Sequence, residues 1–189
     1  MQKKFTEKFV KEEYPKKNII EPLNKRKPNK KIRLGYYSAD FCNHPVSNLI
    51  ANLFEFHDKS KFEIIAFSFS PERDAEMSKR ISNAFDQFIK VNFKTDKEIS
   101  ELSRELKIDI AIDLMCFTTN SRTGIFSEKC APIQINYLGY PGTSGSNFID
   151  YIIADKNLIP KENQKYYSEK IIYLPNTYQV RDSTQKNIK

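Results

Sequence analysis

From Ile32 onward, short apolar runs alternate with stretches whose apolar residues recur at every third or fourth position. Ile32 to Ser38 reads as a strand, and Val46, Leu49, Ile50, Leu53 and Phe54 follow at helical spacing. Glu63 to Phe69 predicts a second strand. Ser70 and Pro71 suit an N-cap and a first helical position, with Met77, Ile81, Phe85 and Phe88 continuing as a helix. Thr95 to Glu98 has the form of a capping box, opening a helix that turns Ile99, Leu102 and Leu106 inward. Ile108 to Leu114 predicts a strand and Arg122 to Lys129 a short helix. Ile133 to Leu138, Tyr151 to Ala154 and Ile171 to Leu174 predict three more strands. Strands separated by helices need crossover connections, which implies a doubly wound, mainly parallel, Rossmann-like α/β sheet covered on both faces.

Two segments lie outside that rhythm. Phe5, Phe9 and Val10 among Lys and Glu predict a short amphipathic helix ending near Tyr14, and Pro15, Pro22 and Pro28 break any helix beyond it. Residues 1–30 therefore read as a basic leader helix and linker, and the helix has no evident surface to pack on. Residues 31–178 form the α/β unit, and 179–189, without an apolar pattern, read as a linker toward a missing part.

Charge sharpens this division. The 189 residues carry a formal net charge of +7, but residues 1–33 hold +8 of it and the remainder −1. A neutral body has no stripe of Lys and Arg across a folded face, which argues against nucleic acid as the partner. No apolar run is long enough to span a bilayer, and the first residues lack the apolar core of a secretory signal. Cys42, Cys116 and Cys130 are odd in number and far apart, which supports neither a disulfide framework nor a zinc site. A reducing, cytoplasmic setting is expected.

Ligands of an open parallel sheet bind beyond the carboxyl ends of its strands, where loops and helix N-termini converge. Three loops at such ends are chemically unusual. In Ser38 to Pro45, Pro45 fits a first helical turn, so His44 sits at or beside the N-cap. There the helix dipole favours neutral imidazole, either as a cap or as an acceptor and base. His57, among Phe56, Asp58 and Lys59, reads as a surface residue. In Met115 to Arg122, Thr118, Thr119, Asn120 and Ser121 either present polar groups to a ligand or cap the next helix, and Cys116 reads as a buried small residue. In Leu138 to Gly145, three of the chain's five glycines fall within eight residues. That loop is either a tight turn or one that bares amides toward a phosphate or sugar; it matches neither a Walker loop nor a dinucleotide fingerprint.

Taken together, Ser38-Ala39-Asp40-Phe41 with His44-Pro45, Asp109 to Leu114 with Thr118 and Arg122, and Ala131-Pro132-Ile133-Gln134 leading into Leu138 to Gly145 resemble the catalytic region of O-linked N-acetylglucosamine transferases, the SPINDLY-like group. Asp150 to Asp155, Tyr167-Ser168-Glu169-Lys170 and Leu174-Pro175 continue the resemblance in order, over about residues 31–178. The resemblance implies one half of a GT-B glycosyltransferase. Such an enzyme moves N-acetylglucosamine from UDP to Ser or Thr hydroxyls of an acceptor protein, inverting the anomeric centre, with no cofactor and no metal. It places His44 at the catalytic cleft and Asp40, Thr118, Gly139, Tyr140, Pro141, Gly142 and Thr143 along its substrate-binding walls. In the family, most UDP contacts come from a C-terminal half, and upstream TPR repeats help hold the acceptor. Both are absent here, so this chain is expected to be incomplete and inactive alone. Two departures stand out: Cys116 occupies a usual glycine position, and Glu101 and Arg104 stand where animal members carry an Asp and a second His. The rival readings are a non-catalytic binding module derived from a transferase half, and a small nucleotide- or nucleic-acid-binding α/β protein.

Overall fold

Seven strands build one sheet in the computed structural model, which describes residues 2–15, 29–70 and 76–184. In chain order the elements are α1 (Gln2–Glu13), β1 (Ile32–Ser38), α2 (Pro45–Glu55), β2 (Phe62–Ser68), α3 (Glu76–Ala84), β3 (Gln87–Lys90), α4 (Asp96–Glu105), β4 (Ile110–Asp113), α5 (Gly124–Ser127), β5 (Ile133–Asn136), β6 (Tyr151–Ala154) and β7 (Lys170–Tyr173). A 3₁₀ segment, Lys161–Tyr166, joins the last two strands. The strand order is β3-β2-β1-β4-β5-β6-β7, and every neighbouring pair is parallel. The chain winds outward from β1 in one direction, then returns beside it with β4, so a crevice opens between the carboxyl ends of β1 and β4.

Each inner strand feeds two cores because successive side chains point to opposite faces. Leu34 and Tyr36 of β1 join Ile64 and Ala66 of β2 against Ile50, Phe54 and Ile81 of α2 and α3. Tyr37 joins Ile65 and Phe67 against Ile99 of α4 and Ile125 and Phe126 of α5. The capping box at α4 forms: Thr95 Oγ1 accepts from the Glu98 amide, and Glu98 accepts from the Thr95 amide at 2.7 Å. Gln134, fully buried in β5, accepts from the Cys130 amide and donates to the Phe126 and Phe148 carbonyls. It thereby satisfies backbone groups of the two loops that flank its strand.

Three expectations change. α3 ends at Ala84, and Phe88 lies in the four-residue edge strand β3, so the spacing of Phe85 and Phe88 mimics a helix without being one. His57 is half-buried, with Nε2 2.8 Å from the Tyr36 hydroxyl, and burial lowers its pKa. The stretch beyond Pro175 has no regular element, yet its described residues are docked. Tyr178 and Val180 pack on the α2/α3 core, and Arg80 ties Asp182 and Glu55 together. That guanidinium draws the Asp182 carboxyl down to about 2. Pro22, Pro28 and Pro71 lie outside the described residues. No described helix is long and apolar enough to cross a membrane.

Candidate functional site

The three unusual loops all emerge at the carboxyl ends of β1, β4 and β5. The first is held by a chain of short turns: the Asp40 amide donates to Ser38 Oγ at 2.9 Å, and the Asp40 carbonyl accepts from the Cys42 amide and the Ser47 hydroxyl. His44 stands at the N-cap of α2, with Nδ1 3.3 Å from the Val46 amide nitrogen and Pro45 opening the helix. The Asp40 carboxylate stands 3.4 Å from the same nitrogen. Burial raises the Asp40 pKa, and the neighbouring His44 opposes that rise.

The second loop crosses the end of β4. Asp113 is buried and accepts from the Met115 amide at 2.9 Å, which folds the chain sharply back. Thr118 donates to the Met115 carbonyl at 3.0 Å and keeps its side chain half-exposed at the crevice. Met115 in turn receives the Ser38 hydroxyl on its sulfur, joining the first two loops. Cys116 has φ +51, a left-handed conformation that favours glycine, which gives a backbone reason for the glycine at this position in the resemblance. Its thiol is buried, and burial, with Asp113 and Glu169 adding, pushes its pKa far up, so it is no nucleophile. Arg122 turns away from the crevice, donating to Asp96 at 2.7 Å and to the Lys94 carbonyl.

Asp113 links the site to pH. Burial pushes its carboxyl up to about 6, against an ordinary 3.8. Between those values the folded chain holds a proton that the unfolded chain has lost, so raising the pH through this window removes stability. The contribution is fully present below 3.8 and is gone above about 6; two pKa units correspond to about 3 kcal/mol. Asp113→Asn is expected to flatten this fall. Denaturant unfolding of both proteins between about pH 4 and pH 7 checks it, and parallel curves would sink the assignment.

The third loop is a rigid wall. Leu138 takes φ +71, and Gly139 lies so close to the β4 loop that a Cβ on it would stand 2.0 Å from the Leu114 carbonyl oxygen. Thr143, expected to bind substrate, is instead buried. Its hydroxyl donates to Glu169 at 2.8 Å and accepts from the amides of Gly145 and Ser168. The Ser144 amide and hydroxyl also donate to Glu169. The amides of Gly139, Ser144, Gly145 and Ser146 therefore bond to Tyr137, Glu169, Thr143 and Ser144, and they do not form an open cradle for a phosphate. Gly139, Tyr140, Pro141 and Gly142 remain accessible. Sequence reasoning missed Glu169 as the anchor; the only signal was its place in the Tyr167 to Lys170 motif.

Helix α1, expected to have nothing to pack on, lies against this wall. Gln2 Nε2 donates to the Tyr140 hydroxyl at 2.7 Å, and Phe9 meets Phe117, which meets Tyr140, edge to face. Lys3 donates to the Tyr167 carbonyl, and Thr6 packs on Gly145, whose φ is +66.

With this geometry in place, the comparisons with known proteins are specific. A model of Glycosyl transferase family 41 matches residues 11–188. The Arabidopsis thaliana protein named probable UDP-N-acetylglucosamine–peptide N-acetylglucosaminyltransferase SEC is 36% identical over 166 residues, covering 88% of this chain and 17% of that protein. The UDP-N-acetylglucosamine–peptide N-acetylglucosaminyltransferase of Caenorhabditis elegans is 33% identical over 156 residues, covering 82% of this chain and 14% of its own length. A mutant O-GlcNAc transferase of Thermobaculum terrenum superposes with a TM-score of 0.82 at 26% identity, over 94% of this chain and 34% of that one. The chain thus spans less than a fifth of these curated relatives, and its fold, loops and sequence place it in one family: it belongs to glycosyl transferase family 41.

Proposed function

We propose that this chain is the N-terminal half of the catalytic region of a protein O-linked N-acetylglucosamine transferase. The observation that carries the reading is the meeting of the three family-like loops at the β1/β4 switch point, in a chain whose relatives are named for that transfer. The reaction joins a Ser or Thr hydroxyl oxygen to the anomeric carbon of N-acetylglucosamine, while the bond to the diphosphate breaks and its electron pair leaves with UDP. The hydroxyl proton must leave as well.

This half supplies alignment. In this reading Asp40 and His44 on the β1 loop, Thr118 on the β4 loop and Gly139 to Gly142 on the β5 loop hold acceptor and sugar in a fixed relation. On the same reading, His44 receives the hydroxyl proton. Stabilisation of the developing diphosphate charge falls to a C-terminal half that this chain does not contain, and TPR repeats upstream would hold the acceptor protein.

Titration of the chain with UDP-N-acetylglucosamine and with UDP, beside a transfer assay on Ser/Thr-rich peptides, tests the reading. The expected result is no transfer by the chain alone, and transfer when the C-terminal half of a relative is supplied, reduced at least about a hundredfold by His44→Ala. Transfer by the chain alone, or none from the combination, would overturn it.

A further inference from the structure

We propose that Asp40 is the positioning residue of the site: its carboxylate takes His44 Nδ1 away from the helix cap and so makes Nε2 the proton acceptor. Val46 N and Asp40 Oδ2 lie 3.3 and 3.4 Å from that one nitrogen. A neutral imidazole nitrogen has a single in-plane direction, and it carries either a lone pair or a hydrogen. With a lone pair on Nδ1, the Val46 amide is capped, the proton sits on Nε2, and His44 can only donate to a substrate hydroxyl. With hydrogen on Nδ1, the bond runs to Asp40, and Nε2 offers a lone pair that can take the hydroxyl proton. The two partners exclude each other, and they give His44 opposite roles.

The surroundings favour Asp40. Its side chain is 16% exposed, against 41% for His44, so the carboxylate is the more shielded of the two. The turn that bonds its amide to Ser38 and its carbonyl to Cys42 and Ser47 fixes where the carboxylate stands. A bond from N–H to carboxylate is roughly twice as strong as one between neutral partners such as an amide and an imidazole. The N-terminus of α2 also favours a nearby negative charge. On the facing helix α3, Glu76 and Arg80 line a hollow with Asn43, and Arg80 is already committed to Glu55 and Asp182. Asp113 stabilises the next loop and has no such histidine partner among the described bonds, so the two acids do different work.

The catalytic meaning of this pair rests on the proposed role of His44; its tautomer does not. The chain has two histidines, so a long-range nitrogen–proton spectrum of the ¹⁵N-labelled protein at mildly alkaline pH shows two rings, and His57→Phe identifies which is which. The expected spectrum has His44 protonated at Nδ1, and Asp40→Ala moves that proton to Nε2. An Nε2–H ring in the unmodified protein overturns the inference even if the variant does not fold, and so does a tautomer unchanged by the substitution. In the transfer assay with the completing half, Asp40→Ala is expected to lower kcat about ten- to a hundredfold with KM unchanged, and Asp40→Glu to recover part of it. A change confined to KM overturns the positioning role. Absence of transfer from the unmodified pair overturns the proposed function and leaves the spectrum to decide the tautomer.

Discussion

Gly139→Ala is expected to unseat the loop after β5, at a cost of about 3 kcal/mol or more. The added carbon would stand 2.0 Å from the Leu114 carbonyl oxygen, and neither side can yield. Leu114 is buried, and its amide bonds to the Tyr37 carbonyl at 3.2 Å in the middle of the sheet. On the other side, Leu138 is already held in a left-handed conformation. Gly145→Ala makes a useful contrast. Gly145, unlike Gly139, has a positive φ; a Cβ there also meets backbone, 2.6 Å from Thr6, but that backbone belongs to a helix that can lift away. The loss there is expected to be the docking of α1, with the sheet intact. Denaturant midpoints and far-ultraviolet circular dichroism separate the two, and a Gly139→Ala midpoint equal to the parent's would refute the close-approach argument.

Glu169→Ala is expected to cost a similar amount, about 3 kcal/mol, because it strands several buried donors at once. Thr143 and Ser144 lose the acceptor of their hydroxyls, and the amide of Ser144 loses its only described partner. Glu169→Gln should be milder. Its carboxamide oxygen can keep both the amide and the hydroxyl of Ser144, so that only Thr143 loses its acceptor. Hydrogen exchange at Ser144 and Gly145 reads the loop directly. Equal exchange in the alanine variant and the parent would remove Glu169 from its role as anchor.

These two residues mark where sequence reasoning succeeds and where it stops. β1 and β6 are legible to the residue because strands of a covered parallel sheet are rich in apolar residues: β1 is buried from Leu34 to Ser38, and β6 reads Tyr-Ile-Ile-Ala. The α4 start is legible because a capping box is local chemistry. β3 is not: it has four residues at the sheet edge, two of them exposed, and its apolar spacing copies a helix. Of the candidate site, the three loops are found from composition, but the direction of each side chain is not. Thr143 looks like a ligand group in sequence and points inward, because Glu169, twenty-six positions away, offers its hydroxyl a better partner than water. The helix cap at His44 is foreseen; the shared claim of Asp40 on its ring needs coordinates.

The docking of α1 also bears on the order in which the molecule assembles. Gln2 and Tyr140 are 138 positions apart, so α1 leaves the ribosome long before its seat, which exists only after five strands have been made. A twelve-residue helix is marginal on its own, and it stays so until that late surface exists. Closure over such a separation places this contact among the slow, non-local steps of folding. This helix is therefore made well before it is secured, and a nascent chain halted before Gly145 exposes α1 to proteases that the finished protein resists.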